Sequence, residues 1–391
     1  MDQEQNLFED RKKNPSMDDD NEEAVEKEDL YGKEGENQIT KPFDPSQIDV
    51  DIANVNLGSL IDQIAHDEID LQPDFQRSSD IWDGTQKSRL IESILLGLPL
   101  PSFYFSEDLA TGKLSIIDGL QRICAIRDFI IKKEEPLVLQ NLQFLRSFEG
   151  KTYKALGRPE IRRIQSLKIT TNTLRKSTPN EVKYVIFQRV NTAGVPLEPQ
   201  EMRHALNQGK PAQFMKELAD LEAFKIATNH SIKSKRMLDR DFANRFVAFY
   251  TGFNEYNGEL DAFLNNKMGA LKGKTDEELK NIKEAFEKSM NCCYTIFKED
   301  DFRKRSHTRD KRKPISKSVF DTLSVNIAWL TDEERQSLIE RNKSFKQRMM
   351  ALFNEPKFSA AISTGTAKTY SVVQRFKDVK DIIQEVLNND K

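Results

Sequence analysis

The chain is poor in the residues that build covalently stapled or metal-clamped scaffolds. Only three cysteines occur in 391 residues, Cys124 and the adjacent pair Cys292 and Cys293, and no Cys-x-x-Cys spacing is present. That argues against a disulfide framework and a zinc site, and makes the cytoplasm the expected compartment. Histidine is nearly as scarce, with His66, His204, His230 and His307 far apart. No stretch approaches the ~18 consecutive apolar residues of a membrane span. The N-terminus is acidic where a secretory signal would be basic and then apolar. No membrane partner is expected.

What is present is charge and enough apolar residue for a core: 31% charged and 37% hydrophobic. At ~150 residues per domain, this length accommodates two domains. The net charge of −3 is unevenly spread, because fourteen of the first forty residues are Asp or Glu and only five are Lys or Arg. With almost no core-forming aliphatics there, residues 1–45 are expected to form a disordered acidic tail. Such a tail solubilises, and an autoinhibitory or DNA-mimicking arm is the alternative. The remaining chain is mildly basic, which permits nucleic-acid contact without demanding it.

The most informative stretch runs from Leu114 to Ile131. Leu114, Ile116 and Ile117 read as a short buried strand, and Ile123, Ala125, Ile126, Phe129 and Ile130 recur at helical spacing. Between them lies Asp118-Gly119-Leu120-Gln121-Arg122, a turn that passes directly into a helix. Free amide groups and the positive end of the macrodipole make such a corner suited to phosphate. Arg122 could add a charge-assisted contact, and Asp118 could hold a metal or a sugar hydroxyl. A capped helix whose arginine pairs with a surface acid fits the same residues.

Upstream, Gln72-Pro73-Asp74-Phe75-Gln76-Arg77 reads as extended, because the residue before a proline avoids the helical region. Thr85 is a candidate N-cap for a helix with Leu90, Ile91, Ile94 and Leu95 on one face, ended by Gly97. Phe103 to Phe105 predicts a strand, and Thr111-Gly112 a hairpin turn into Leu114. Leu167 to Leu174 reads as another strand. A helix opened by Pro179 ends at Asn191, and a loop through Gly194 leads to Glu201 and Arg203 at the next helix start. That corner serves either as a second half of a site or as a helix junction stitched by an Arg–Glu pair.

Beyond residue 205 the pattern is helical, with helices expected over 211–222, 239–253, 258–269, 276–298, 315–330, 332–352 and 370–388. One basic segment interrupts it. Arg303, Lys304, Arg305, Arg309, Lys311, Arg312 and Lys313 are accompanied by the single acid Asp310. A loop of this kind can grip a nucleic-acid backbone by counterion release, or remain a solvated loop that binds nothing.

Three runs together resemble one family. Gln72 to Arg77 with Trp82, Leu90 to Pro101, and Ile117-Asp118-Gly119-Leu120-Gln121-Arg122 are similar to the N-terminal domain of GmrSD-type restriction endonucleases. A fourth run, Phe187 to Asn191 with Gly194, Leu197, Glu201 and Arg203, looks like the same family's later motif. The resemblance covers roughly residues 55–210. It implies a ParB/sulfiredoxin-like α+β domain over 46–208, followed by a mostly α-helical domain over 209–391 that carries the basic loop. It further implies a nucleoside triphosphate with Mg²⁺ held by Asp118, Gly119, Gln121 and Arg122, with Gln76, Arg77, Asn191 and Arg203 contributing. Asp118, Gln121 and Arg122 would be catalytic residues of an NTPase, with Asp118 the metal ligand. Leu120 departs from the glutamine commoner in the family, which puts hydrolysis in greater doubt than binding.

Complete family members add a His-Asn-His nuclease, but none of the four histidines here lies in a His-x-x-Pro setting. Cleavage would then fall to a nuclease partner subunit. The resulting expectation is a nucleotide-binding protein that acts on or senses DNA in defence against foreign or modified DNA. A non-enzymatic DNA-binding or assembly protein, and a metal-dependent nuclease or nickase in the ParB-like domain itself, are the alternatives.

Overall fold

The structure is a computed structural model and describes residues 24–32, 48–71, 82–108, 112–190 and 198–389. They fall into two compact units, Thr40–Ala212 and Gln213–Lys391, the second joined by the N-terminal segment Met1–Ile39. The first is a mixed sheet with helices, and the second is helical.

In the first unit the order is β1 (Val50–Asn56), α1 (Leu57–Ala65), β2 (Ile69–Asp70), α2 (Gly84–Leu96), β3 (Phe103–Glu107), β4 (Leu114–Asp118), α3 (Leu120–Ile130), α4 (Arg158–Ser166), β5 (Lys168–Leu174), α5 (Asn180–Val190) and α6 (Pro199–Leu206). The sheet order is β1-β5-β3-β4-β2. β3 and β4 are antiparallel, as the predicted hairpin requires, and β3 runs parallel to β5. Leu60 and Ile64 of α1, Ile91 and Ile94 of α2, and Ile123, Ile126 and Phe129 of α3 close over Phe103, Phe105 and Ile116 of the sheet. The apolar periodicity read from the sequence thus marks the faces that leave water.

The cap of helix α2 lies two residues earlier than expected. Asp83, not Thr85, is the N-cap, because its carboxylate accepts from the Gln86 amide at 2.7 Å while Gln86 Oε1 accepts from the Asp83 amide at 3.0 Å. Gly97 ends the helix in the left-handed region at φ 77°, as expected. The irregular chain after α3 is anchored by Glu92, whose carboxylate accepts from the amides of Gln143, Phe144 and Leu145.

The helical unit contains α7 (Lys210–Asp220, which begins just before the division between units), α8 (Glu222–Ala227), α9 (Leu238–Gly252), α10 (Leu260–Ala270), α11 (Asp276–Phe297), α12 (Lys317–Ala328), α13 (Asp332–Glu340), α14 (Asn342–Asn354), α15 (Pro356–Ala361) and α16 (Thr369–Asn389). Phenylalanines knit its core: Phe242 meets Phe320 at 4.9 Å and Phe246 meets Phe286 at 4.7 Å, both edge-to-face. The single helix expected over 332–352 is two helices. Arg341 leaves helical geometry at φ −94°, ψ 22°, and its guanidinium donates to the carbonyls of Val386 and Leu387, which holds the break.

Residues 24–32 depart from the disorder expected of 1–45. Val25 is buried and bridges Ile315, Glu26 pairs with Lys304 at 2.6 Å, and Glu28 pairs with Arg245 at 3.0 Å. Arg245 is itself paired with the fully buried Asp321 at 2.6 Å. Two acids of this segment, Glu26 and Glu28, are thus paired with cations of the helical unit. No helix among the described residues is long and apolar enough to cross a membrane.

Candidate functional site

Strand β4 buries Ile116 and Ile117 and delivers Asp118 to the edge of the core. Gly119 then takes φ 101°, and a Cβ there would lie 2.6 Å from Phe103 Cδ1. Only glycine meets both demands, since the conformation is strained for other residues and the space is filled. Gly119 is the N-cap of α3, and no side chain among the described residues caps the helix. The amides of its first turn therefore have no intrahelical acceptor.

Arg122, one turn in, is buried. Its Nη2 donates to Asp118 Oδ2 at 2.9 Å and to the Ser102 carbonyl at 3.1 Å, and its Nη1 donates to the Pro101 carbonyl. The guanidinium carbon also stands 4.5 Å from the centre of the Phe103 ring. Burial lowers the arginine's pKa, and the adjacent Asp118 carboxylate works against that shift. The guanidinium thus fastens the strand start at 101–103 to the turn and fixes the orientation of Asp118. Pro101, Ser102 and Phe103 were assigned no role at the corner from the sequence, because a backbone carbonyl leaves no signature in residue identity.

Asp118 keeps 27% of its side chain exposed, and its Oδ1 accepts no hydrogen bond from the described residues. Gln121 Oε1 accepts from the Trp82 amide at 3.4 Å, tying the turn to the start of α2. Leu120 turns inward and packs against the core. A leucine in place of glutamine is therefore accommodated as an apolar contact, and the position contributes no polar group to the corner.

Of the other expected ligands, Gln76, Arg77 and Asn191 lie outside the described residues. Arg203 is buried in α6, where Nε donates to Gln200 Oε1 at 2.8 Å. Helix α6 starts with a capping box between Glu198 and Glu201 and packs against β4, the strand that ends in Asp118. Lys183 of α5, absent from the sequence reading, donates to the Glu107 carbonyl at 3.0 Å and fixes α5 to β3.

The donor set fits a magnesium–nucleotide complex. Mg²⁺ keeps most of its water and takes one or two carboxylates plus substrate phosphates. Among the described residues no cluster of three or more metal-ligating side chains exists, so Asp118 would be the protein's carboxylate and the uncapped start of α3 the phosphate cradle.

In the helical unit the seven basic residues divide. Arg303 is buried and donates to the carbonyls of Glu299 and Lys313 and to Ser231 Oγ; burial, with Arg312 nearby, brings its pKa down to about 10. Lys304 is paired with Glu26, and Arg305 with Asp300. Arg309, Lys311, Arg312 and Lys313 are exposed. The first three brace the segment, and the last four present cations to solvent.

Compared with known proteins, residues 57–208 match the family described as GmrSD restriction endonuclease, N-terminal domain. The match runs from the first turn of α1 past the end of α6. No curated protein and no solved structure matches the chain.

Proposed function

Because residues 57–208 carry a GmrSD-type N-terminal domain, we propose that the chain belongs to a restriction system and binds a nucleoside triphosphate with Mg²⁺ at the Asp118–Arg122 corner, acting on or sensing foreign DNA. The observation that carries this reading is the juxtaposition of an uncapped helix start at Gly119 with an oriented carboxylate at Asp118. The amides of the α3 start take phosphate oxygens, and Asp118 holds the hydrated cation that neutralises them. Bound Mg²⁺ would supply charge stabilisation to a transferring phosphoryl group. Arg122 orients Asp118 and stiffens the turn. Leu120 removes one polar group from the corner, so binding that gates DNA contact is favoured over rapid turnover. DNA is met by the exposed Arg309, Lys311, Arg312 and Lys313, and strand cleavage comes from a nuclease partner.

A test is nucleotide binding by Asp118→Asn, which keeps the shape of the side chain. Titration calorimetry with ATP and GTP in Mg²⁺ should show binding to the parent and at least ~10-fold weaker binding to the variant, the loss of one charge-assisted contact being about 1.5–3 kcal/mol. Equal affinity of the two proteins would rule this corner out as the metal–nucleotide site. A second reading draws on the arginine: its two terminal nitrogens are already spent on Pro101, Ser102 and Asp118, which suits a non-enzymatic DNA-binding or assembly protein. No phosphate release from any nucleotide, with DNA binding intact, would favour it.

A further inference from the structure

An open groove of about 530 Å³ lies in the helical unit between the end of α9, the end of α12 and one face of α16. This is within the ~300–1,000 Å³ of ordinary small-ligand sites. Trp329 stands at its wall with 43% of its surface accessible. The indole is held in place: Nε1 donates to the Tyr250 carbonyl at 3.4 Å, and Phe253 and Phe376 pack against the ring at 5.8 and 6.1 Å between centroids. Asn326, only 4% exposed, also lines the groove. Its Nδ2 donates to the carbonyls of Thr322 and Phe376 at 2.8 and 3.2 Å, which fixes the amide's orientation. Its Oδ1 accepts from none of the described residues and is the end left for the groove.

The rim is basic on one side. Val373, Lys377 and Lys380 line the groove from α16, and with the 64%-exposed Tyr370 they follow the spacing i, i+3, i+7, i+10, a single stripe of that helix. Lys377 is paired with Asp381 at 2.7 Å; Lys380 has no ion-pair partner among the described residues. Glu255, on the opposite side, is neutralised by Lys267 at 2.5 Å.

An immobilised aromatic wall, a buried acceptor behind it and lysines along the rim are the parts of a site for an unpaired base and its backbone. Stacking is sequence-tolerant because every base has a π-face, and the cations follow the phosphates. We propose that this groove binds single-stranded DNA, with one base against Trp329, its amino group toward Asn326 Oδ1, and the flanking phosphates on Lys377 and Lys380. The inference rests on the reading of the protein as one that meets DNA, and it assigns the helical unit a second contact surface, separate from Arg309 to Lys313.

The chain has two tryptophans, so Trp82→Phe leaves Trp329 as the sole reporter. Adding a dC or dA 12-mer to this full-length protein should quench the remaining fluorescence as anisotropy of a labelled oligomer rises. Trp329→Ala should weaken binding by roughly tenfold, on the scale of one lost base stack, and Trp329→Phe should restore part of it. Lys377→Gln with Lys380→Gln should lower the slope of log affinity against log salt by about 1.4, the value for two phosphates on a single strand. Unchanged Trp329 fluorescence at saturating oligomer would overturn the proposal. So would full affinity in Trp329→Ala, tighter binding of a 12-mer RNA or of duplex, or affinity that falls only when Arg309 to Lys313 are neutralised. Nucleotide titration of Trp329→Ala and of Lys377→Gln with Lys380→Gln, each in otherwise parental protein, stays at the parental value, so failure of the groove and failure of the Asp118 corner read out separately.

Discussion

Asp118 and Arg122 are joined across the Gly119 turn by a hydrogen-bonded ion pair of 2.9 Å. The carboxylate closes the strand and the guanidinium belongs to the first turn of the helix, so the pair locks the strand-to-helix junction. An arginine one turn into a helix that starts on Asp-Gly reads as a phosphate ligand from sequence. In the fold it is first the clamp that orients the acid.

Gly119→Ala tests how tightly that junction is built. The new Cβ meets Phe103 Cδ1 at 2.6 Å on a backbone at φ 101°. A loss of about 1–3 kcal/mol is expected from the backbone strain, with more if the ring cannot move. Urea denaturation followed by circular dichroism measures it, and a parental midpoint would show that the turn relaxes freely.

Asp301 carries a pH signature. It is 1% exposed, neither carboxylate oxygen has a hydrogen-bond partner among the described residues, and burial, reinforced by Asp300, pushes its pKa well above the usual 3.8. The folded protein therefore holds this proton to higher pH than the unfolded chain does. Its contribution is favourable below about pH 4 and is lost as pH rises toward the folded value, at ~1.4 kcal/mol per unit of difference. Asp301→Asn cannot ionise and should be more stable than the parent at ~pH 8, with the gap closing toward ~pH 4. Parallel stability curves for the two proteins would contradict this.

Glu28 tests the docked N-terminal segment. Its carboxylate meets Arg245 at 3.0 Å beside Asp321 and lies 3.9 Å from Lys317. Glu28→Gln should lower stability by about 1–3 kcal/mol, because a charged hydrogen bond to a buried guanidinium is lost. A thermal melt unchanged from the parent would mean that the segment merely rests on the surface.

The basic segment should behave as two classes. Replacing Arg309, Lys311, Arg312 and Lys313 with glutamine should leave the melting temperature near the parent's and weaken duplex binding. Each lost phosphate contact should flatten the salt dependence by about 0.9 in slope. Arg303→Gln should instead destabilise, since three hydrogen bonds of a buried side chain go with it. The reverse pattern would show that Arg303 faces the ligand.

Much of this was legible in the residues. Apolar periodicity located α2, α3 and the β3–β4 hairpin, because one buried face at period 3.6 or 2 is what burial imposes on a chain. The Asp-Gly corner could be read because φ above zero selects glycine. Helix boundaries were less legible. The break at Arg341 depends on carbonyls of Val386 and Leu387, 45 and 46 residues away.

By itself the sequence determined the division into a sheet-bearing part and a helical part, the strand–turn–helix at Asp118 to Arg122, and the family match over residues 57–208. These follow from local periodicity and from residue types with narrow backbone preferences. Only the tertiary structure decided which charges are spent inside the fold. Arg122, Arg203 and Arg303 are buried, Glu28 is drawn to Arg245, and Asp301 is sealed with no hydrogen-bond partner among the described residues. The physical reason is that a charged side chain has the same identity in water and in a core. Its role is set by partners brought from distant parts of the chain, which no local pattern records.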